Sequence, residues 1–518
     1  MAPATRLRRS IQALQAEYDS GNKKPLEDLW RAWIGIRQLP SDHPNSLFTL
    51  GGYHGVPGGY CNHGNVLFPT WHRAYLLKVE NALRSIPGCE AVTLPYWDET
   101  DDDSLSDGVP AVLTRATVAL DGVEVPNPLR SFTLPADLQD VDVEGADYSK
   151  AAGYQTVRYP LSGLVGTEQD RLKTAEHNQQ FANEAINVSL LNQNIVTWLK
   201  WTVIDDGAPV AGGRVADRIR QSLDAPNYTV FSNTTSAAEW NTDHPLMTAT
   251  SVESPHNSVH LAVGGFDLPG FDASPIDGAN GDMGENDTAA FDPIFYFHHC
   301  FIDYVFWVWQ KRHASTDNLD IIDGFPGTSA SEHIPPPGTP AGTALNLYTP
   351  LHPFVIEDNG RSRPFTSADC LNIETQLGFS YEPGSLEEMG IQGTAPEDEA
   401  GPPAKVLVVS AIDRSAIRGS FLISVYGHIG GRRVRLGTEA VLSRWDVAGC
   451  SNCQTHLEAR ASFAVPSAGT GVMAAASAAE IRDKTTYDVE IRTREGDLTQ
   501  QPGAAAGPGA PLYQLDLY

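Results

Sequence analysis

Apolar residues recur at the spacing of an α-helix in four segments between residues 25 and 312. Such a period of about 3.6 residues indicates helices that each bury one face. The segment 291–312 is the most apolar of them, so we expect it to lie at the centre of the fold. The four predicted helices are 25–39, 69–86, 183–201 and 291–312. Between them, the acidic segment 98–108 predicts a solvated loop, and the Pro- and Gly-rich segment 324–343 predicts a connector.

The spacing of apolar residues changes after residues 392–404, whose composition predicts a linker. Short segments rich in β-branched residues follow, and they predict strands at 405–412, 419–429, 432–442 and 486–493. The sequence therefore predicts two domains. Residues 1–391 form a mainly α domain, with a central helix bundle and a loop-rich periphery. Residues 405–518 form a small β-rich domain that ends in a flexible tail.

Composition narrows the classes of function. The 518 residues include 64 acidic and 36 basic side chains, for a net charge of −28, which disfavours nucleic acids and anionic membrane surfaces as partners. No apolar stretch is long enough to span a membrane. Six cysteines are too sparse for a disulfide framework, and no apolar segment follows the basic residues near the N-terminus. These features predict a cytoplasmic protein.

Two groups of histidines stand out among the fifteen in the chain. His256 and His260 are four residues apart on a predicted helix, so both imidazoles share one face and suit a single metal ion. His298 lies on the apolar stripe of the helix 291–312. Its neighbour His299 diverges from it by about 100° around the helix, which favours His298 as the third ligand. The alternative is a buried histidine bonded to a backbone carbonyl.

The other group comprises His54, His63 and His72, which are nine residues apart. The first two lie in Gly-rich sequence and the third lies near the start of the helix 69–86. Alone, these could be three unrelated histidines. Together, the two groups offer three plus three imidazoles. All-nitrogen ligation suits copper, zinc or iron, and it favours a redox-active copper over magnesium or calcium.

Two longer motifs resemble those of a known family. His63-Gly64, followed by Phe68-Pro69-Thr70-Trp71-His72-Arg73-Ala74-Tyr75, resembles the signature around the first copper ion (CuA) of type-3 copper proteins. Asp292-Pro293-Ile294-Phe295-Tyr296-Phe297-His298-His299-Cys300-Phe301-Ile302-Asp303 resembles their signature around the second copper ion (CuB). This family contains tyrosinases, catechol oxidases and hemocyanins. The resemblance covers roughly residues 40–312 and points to the fungal-like branch.

The resemblance implies a site for two copper ions in the mainly α domain, which would be the catalytic domain. It assigns CuA to His54, His63 and His72, and CuB to His256, His260 and His298. In the fungal-like branch, a cysteine two residues before the second CuA ligand forms a thioether with it, and Cys61 has this spacing before His63. The alternative is that Cys61 is a free buried thiol.

Further residues receive roles in the same way. The resemblance implies that Glu253 and Asn257 hold a water that deprotonates monophenols, although both could simply be polar residues of a helix. Asp303 is expected to orient a ligating imidazole through its second nitrogen. The implied activity is that of a tyrosinase, which oxidises phenols to o-diphenols and o-quinones with O2. A catechol or o-aminophenol oxidase and a hemocyanin-like O2 carrier are the alternatives. A homo-oligomer and a copper chaperone as partner are left open.

The resemblance also implies that the C-terminal domain is a lid that inserts a side chain into the entrance of the site. Phe421 and Tyr426 are the predicted candidates for this plug. Cys450 and Cys453, with His456 nearby, have the spacing to hold one soft ion such as Cu(I). A copper-relay role is therefore the hypothesis for this motif, and a local disulfide or two metal-free cysteines are the alternatives.

Overall fold

A computed structural model describes most of the chain. The described residues are 6–140, 148–163, 166–200, 204–205, 208–209, 214–244, 247–268, 280–330, 342–358, 360–388, 405–429, 432–449, 457–465, 486–500 and 512–518. Within these ranges no helix is long and apolar enough to cross a membrane. The predicted linker 392–404 lies outside them.

The N-terminal part of the protein is built mainly from helices. They are α1 (Ile11–Asp19), α2 (Lys24–Gln38), α3 (Leu47–His54), α4 (Phe68–Arg84), α5 (Asp102–Asp107), α6 (Glu168–Gln179), α7 (Glu184–Lys200), α8 (Val215–Ser222), α9 (Tyr228–Ser232), α10 (Thr234–Asp243), α11 (Glu253–Gly264), α12 (Ile294–Arg312) and α13 (Ser385–Glu388). The four predicted helices correspond to α2, α4, α7 and α12 and agree with them to within a few residues.

Helix α12 lies at the centre, as its apolar sequence predicts. Every residue from Ile294 to Gln310 is buried, and the helix packs against both α4 and α11. Its C-terminal turn carries Lys311 and Arg312, whose charges suit the negative end of the helix dipole. Because α12 is enclosed by other elements, the polar side chains on it are held in fixed positions.

The helical domain also contains short strands. They are β1 (Arg6–Arg8), β2 (Thr117–Leu120), β3 (Val123–Pro126), β4 (Leu138–Gln139), β5 (Ser149–Lys150), β6 (Ile204–Asp205), β7 (Ala208–Pro209), β8 (Pro350–Asp358), β9 (Arg361–Thr366) and β10 (Phe379–Tyr381). Each pairs with one partner only: β1 with β10 in parallel, and the others as antiparallel hairpins.

The C-terminal domain consists of two antiparallel sheets. Its strands are β11 (Lys405–Asp413), β12 (Phe421–Ile429), β13 (Arg432–Val441), β14 (Glu458–Val465), β15 (Thr486–Thr493), β16 (Gly496–Asp497) and β17 (Gln514–Leu517). One sheet has the order β14-β11-β17 and the other β13-β12-β15-β16. Inward-facing residues of both sheets, including Leu407 and Ile423, share one hydrophobic cluster, so the sheets form a sandwich. The four predicted strands are confirmed, and β14, β16 and β17 are additional.

Buried polar contacts join the two parts of the chain. Arg444 donates to Asp287 at 2.9 Å and to Asp140 at 3.2 Å, and all three side chains are buried. Arg218 of α8 donates to Glu439 of β13 at 3.0 Å. These contacts fix the C-terminal domain over the end of the helix bundle where α11 begins.

Candidate metal centre

Seven imidazoles meet in the core of the helical domain. His54 ends α3, and His63 lies in the loop before α4, which carries His72. Helix α11 supplies His256 and His260, and α12 supplies the adjacent pair His298 and His299. Helices α4, α11 and α12 are held by core packing, so the imidazoles come from rigid elements, apart from His63.

The predicted first group is brought together. The ring centroids of His54 and His63 are 5.3 Å apart, those of His54 and His72 are 5.6 Å apart, and those of His63 and His72 are 5.2 Å apart. The Cys61 thiol is part of the same cluster, since its sulfur and the nitrogens of His54 and His63 lie within 4.8 Å of one another. Cys61 is therefore positioned close to His63, as the predicted thioether requires.

The second group contains His256, His260 and His298, as predicted, and also His299, which the prediction left out. The Nε2 atom of His299 lies 3.2 Å from Nε2 of His256 and 3.1 Å from Nε2 of His260. The rings of His299 and His72 are stacked with centroids 4.5 Å apart, so His299 also borders the first group. The exclusion of His299 from the site was wrong. Adjacent residues diverge around a helix axis, but their long side chains can still converge beyond it.

His298 has a different partner. Its Nδ1 donates to the carboxylate of Glu99 at 2.5 Å, and both side chains are fully buried. Its ring remains within 4.8 Å of the ligand atoms of His256, His260 and His299. The prediction of a solvated loop at 98–108 was wrong, because Asp98 and Glu99 are buried and the residues of α5 form a helix. The mainly apolar segment Leu94–Trp97, which directly precedes Asp98 and Glu99, was the signal for this.

Backbone and amide oxygens fix the tautomers of three imidazoles. The Nδ1 of His72 donates to the carbonyl of Phe68 at 2.8 Å, and that of His260 donates to the carbonyl of Met283 at 2.9 Å. The Nδ1 of His256 donates to Oδ1 of Asn257 at 3.0 Å. In each case the proton resides on Nδ1, so Nε2 is left as a free lone pair that can bind a metal ion.

Burial keeps these imidazoles neutral. It lowers the pKa of His72 to about 3, and it lowers the pKa of His54, His256, His260 and His299 well below the usual value, with neighbouring imidazoles adding to the effect. A neutral imidazole is the form that ligates metals.

Unpaired nitrogens provide the test of whether a metal fits. The Nε2 atoms of His54, His63 and His72 are buried, and no described residue forms a hydrogen bond with them. Buried polar atoms without partners are costly unless another group satisfies them. Six neutral imidazoles with convergent nitrogens and no carboxylate among them match copper better than a hard cation. The donor set therefore fits two copper ions.

Glu253 and Asn257 lie beside the imidazoles. Glu253 is the first residue of α11 and is buried. Its carboxylate accepts from the backbone N–H of Gly64 at 2.8 Å and from that of Thr234 at 2.9 Å. Burial raises the pKa of Glu253, while these hydrogen bonds oppose the rise. Both residues line a cavity with His63.

Asp303 does not contact an imidazole, so its predicted role was wrong. Its carboxylate accepts from Nε of Arg73 at 2.6 Å and from the hydroxyl of Tyr381 at 2.5 Å. Arg73 follows His72 on α4, so Asp303 on α12 joins the two helices through a buried ion pair. The carboxylate that touches an imidazole is Glu99.

The C-terminal domain covers the cavity next to Glu253 with residues of β13 and β14 and with Arg414. The predicted plugs were wrong. Phe421 is fully buried in the hydrophobic cluster of the sandwich, and the Tyr426 ring lies 3.3 Å from the guanidinium of Arg433. These residues face the interior of their own domain or its sheet surface. Cys450, Cys453 and His456 lie outside the described residues.

Comparison with known proteins agrees with this site. Residues 28–312 match the family described as "Common central domain of tyrosinase". The chain is 49% identical to the tyrosinase HcTyr2 of Hahella sp. (strain CCB-MM4), over 94% of this chain and 92% of that protein. It is 43% identical to a tyrosinase of Aspergillus oryzae, over 85% of this chain and 86% of that protein.

A solved structure shows the same fold throughout. The tyrosinase of Burkholderia thailandensis superposes with a TM-score of 0.84 and 46% identity, and the match covers 99% of this chain and 100% of that one. The similarity thus includes the C-terminal domain that covers the site. The chain belongs to the tyrosinase family and is a dicopper oxidoreductase that acts on phenols with O2.

Proposed function

We propose that this protein hydroxylates monophenols at the ortho position and oxidises the resulting o-diphenols to o-quinones. The overall reaction balances without a further reductant, because one monophenol and one O2 give one o-quinone and one water. The observation that carries the proposal is the placement of Glu253 and Asn257 on one cavity with His63, directly beside two adjoining groups of neutral imidazoles.

We assign the ligands from the positions of the Nε2 atoms. His54, His63 and His72 would hold one copper ion, and His256, His260 and His299 the other. We give His299 the third place because its Nε2 lies 3.2 Å from that of His256 and 3.1 Å from that of His260, and its ring also stacks on His72 of the first group. Two copper ions, when bound, supply O2 binding and the transfer of two electrons at once.

Aromatic side chains enclose the imidazoles. The Phe295 ring stacks on His299 with centroids 3.9 Å apart, and the Phe68 ring lies 4.9 Å from that of His256. Both phenylalanines are fully buried. They exclude water from the ligands, which preserves the neutral imidazoles and the low local dielectric.

Glu253 acts as the base that deprotonates the substrate. A phenol has a pKa near 10, so its hydroxyl proton must be removed before the ring is hydroxylated. The Glu253 carboxylate, with a pKa raised by burial, can accept this proton directly or through a water held with the Asn257 amide. Asn257 has a second task, since its Oδ1 also orients His256.

We further propose the thioether between Cys61 and His63. The bond would fix the ring of His63, which lies on a Gly-rich loop and is the only one of the six ligands outside a helix. The proximity of the Cys61 sulfur to the His63 nitrogens supports this.

Oxygen uptake tests the proposed activity. The copper-loaded protein is expected to consume O2 with 4-methylphenol and with 4-methylcatechol. Uptake with the catechol alone would indicate a catechol oxidase, and reversible oxygenation without turnover of either compound would indicate an O2 carrier. His260→Ala should be inactive, whereas His428→Ala, on an exposed strand of the C-terminal domain, should behave as the unmodified protein.

A further inference from the structure

A cavity of about 210 Å³ lies between the start of α11 and the C-terminal domain. His63, Glu253 and Asn257 line it on one side, and Arg414, Val441 and Leu442 line it on the other. It is smaller than the sites that accept drug-sized ligands, so it suits one aromatic ring with a short side chain. The exposed residue Glu458 is also part of its lining, so the cavity reaches the surface.

Arg414 is a charged residue that the C-terminal domain places near Glu253. Its Nη2 donates to the carbonyl of Leu442 at 3.0 Å and to the hydroxyl of Ser443 at 3.3 Å, which are both neutral acceptors. Its Nε is buried and has no hydrogen-bond partner among the described residues. The guanidinium is therefore held in place with a donor unused.

Apart from Glu253, the other charged side chains that line the cavity form ion pairs. Arg460 forms ion pairs with Glu239 and Glu458, at 3.0 Å each. Glu439 is paired with Arg218 at 3.0 Å. Within the described part of the chain, no carboxylate forms an ion pair with Arg414. Burial is the main influence on the pKa of Arg414, which it lowers, and the nearby charge of Glu253 opposes this.

We propose that Arg414 binds the carboxylate of the substrate, so that the preferred substrates are phenols with a short anionic side chain. This inference rests on the proposed function, because the phenolic end must reach Glu253 and the imidazoles. The planar guanidinium can offer parallel N–H donors to a carboxylate, and an aliphatic wall at Val441 and Leu442 suits the ring between them. The C-terminal domain then takes part in substrate selection as well as covering the site.

Because the protein has a net charge of −28, an anionic substrate needs a local cation to attract it. A strongly acidic protein repels anions from its surface, so an anionic phenol gains little from the overall field. A fixed arginine inside a cavity of low dielectric provides the compensating attraction at short range.

Initial rates on a pair of o-diphenols test the proposal. The ratio of kcat/KM for 3-(3,4-dihydroxyphenyl)propionate to that for 4-methylcatechol is measured for the copper-loaded protein and for Arg414→Gln. We expect the ratio to fall about tenfold in the variant, chiefly through KM, as expected for a lost charge-assisted hydrogen bond. Arg414→Lys should restore part of it. The matched control is Arg433→Gln, which removes an exposed arginine of the same domain that pairs with Asp488.

An unchanged ratio would overturn the proposal, whatever happens to the separate rates. Equal gains on both substrates would identify Arg414 as a steric cover, and equal losses would identify it as a counter-ion of Glu253.

Binding without turnover separates this inference from the proposed function. By calorimetry, 3-phenylpropionate should bind the copper-loaded protein about tenfold tighter than 3-phenylpropanol, and Arg414→Gln should remove the difference. If 4-methylcatechol is not oxidised at all, the proposed function fails, but this comparison still decides the role of Arg414. Equal affinity of the two compounds for the unmodified protein would refute it.

Discussion

The Nδ1 atom of His298 and the Oε1 atom of Glu99 are 2.5 Å apart, and neither side chain is exposed to solvent. Glu99 follows the apolar segment Leu94–Trp97 and comes from a loop nearly 200 positions away in the sequence. This contact fixes the orientation of His298, while the Nε2 of its neighbour His299 lies 3.2 Å from that of His256 and 3.1 Å from that of His260.

Copper content should therefore distinguish the two adjacent histidines. His299→Gln is expected to leave about one copper ion per chain instead of two, because one group of three imidazoles loses a ligand. His298→Gln is the matched control, since its amide can still donate to Glu99, and it should retain both ions. Metal analysis after dialysis gives the answer. The opposite result, with copper lost only from His298→Gln, would return the ligand role to His298.

The Cys61–His63 bond should be visible by mass. A peptide that contains both residues from the copper-loaded, oxygen-exposed protein is expected to be lighter by two hydrogens than its sequence mass. Cys61→Ser should give the full sequence mass. Cys89 serves as an internal control, because it is also buried but, within the described part of the chain, has no histidine cluster beside it. If Cys61 can be alkylated after the copper-loaded protein has been unfolded, no bond has formed.

Asn257→Ala should affect monophenols more than catechols. The amide is expected to position the water that accepts the phenol proton, and a catechol is the easier substrate to deprotonate and oxidise. Hydroxylation of 4-methylphenol should fall about tenfold more than oxidation of 4-methylcatechol. Because Oδ1 of Asn257 also accepts from His256, some loss on both is expected. A proportional loss on both substrates would show that Asn257 only orients His256.

Arg444 should contribute strongly to the stability of the domain contact. Arg444→Met would leave Asp287 and Asp140 buried without their shared cation, which is expected to lower the free energy of unfolding by about 3–5 kcal/mol. Arg433→Met removes an exposed ion pair with Asp488 and should cost less than about 1 kcal/mol. Urea denaturation of both variants measures the difference. Similar midpoints for the two would contradict the importance of the buried network.

Glu285 should make stability depend on pH. Burial, with a further contribution from the charge of Asp287, raises the pKa of Glu285 from 4.5 to about 8. A raised carboxyl pKa means that the folded state keeps the proton up to a higher pH than the unfolded state does. The contribution of this proton to the free energy of unfolding is complete below pH 4.5 and is lost as the pH rises towards 8. Glu285→Gln is expected to flatten the decline in urea midpoint between pH 5 and pH 8.

The corresponding variant of an exposed residue, Glu357→Gln, is the control and should leave the slope as it is. An unaltered slope in Glu285→Gln would mean that other groups account for the pH dependence.

Local patterns in the sequence determined most of the secondary structure near the site. Helical periodicity predicted α2, α4, α7 and α12, and β-branched segments predicted four strands of the sandwich, because both signals depend on neighbours within one element. The i, i+4 spacing of His256 and His260 likewise predicted that their rings share one face. The short helices α8, α9 and α10 were missed because each has too few turns for a periodic pattern.

Tertiary structure decided every relationship between distant segments. Glu99 binds His298 from a distant loop, and nothing within the sequence of α12 indicates where that carboxylate lies. Asp303 was expected to meet an imidazole and instead meets Arg73, because the packing of α12 against α4 places the arginine within its reach. Arg414 reaches the cavity of Glu253 only because the sandwich docks on α11. The sequence by itself determined which side chains could bind copper, and packing determined which of them face the same point, since convergence depends on contacts between residues that are far apart along the chain.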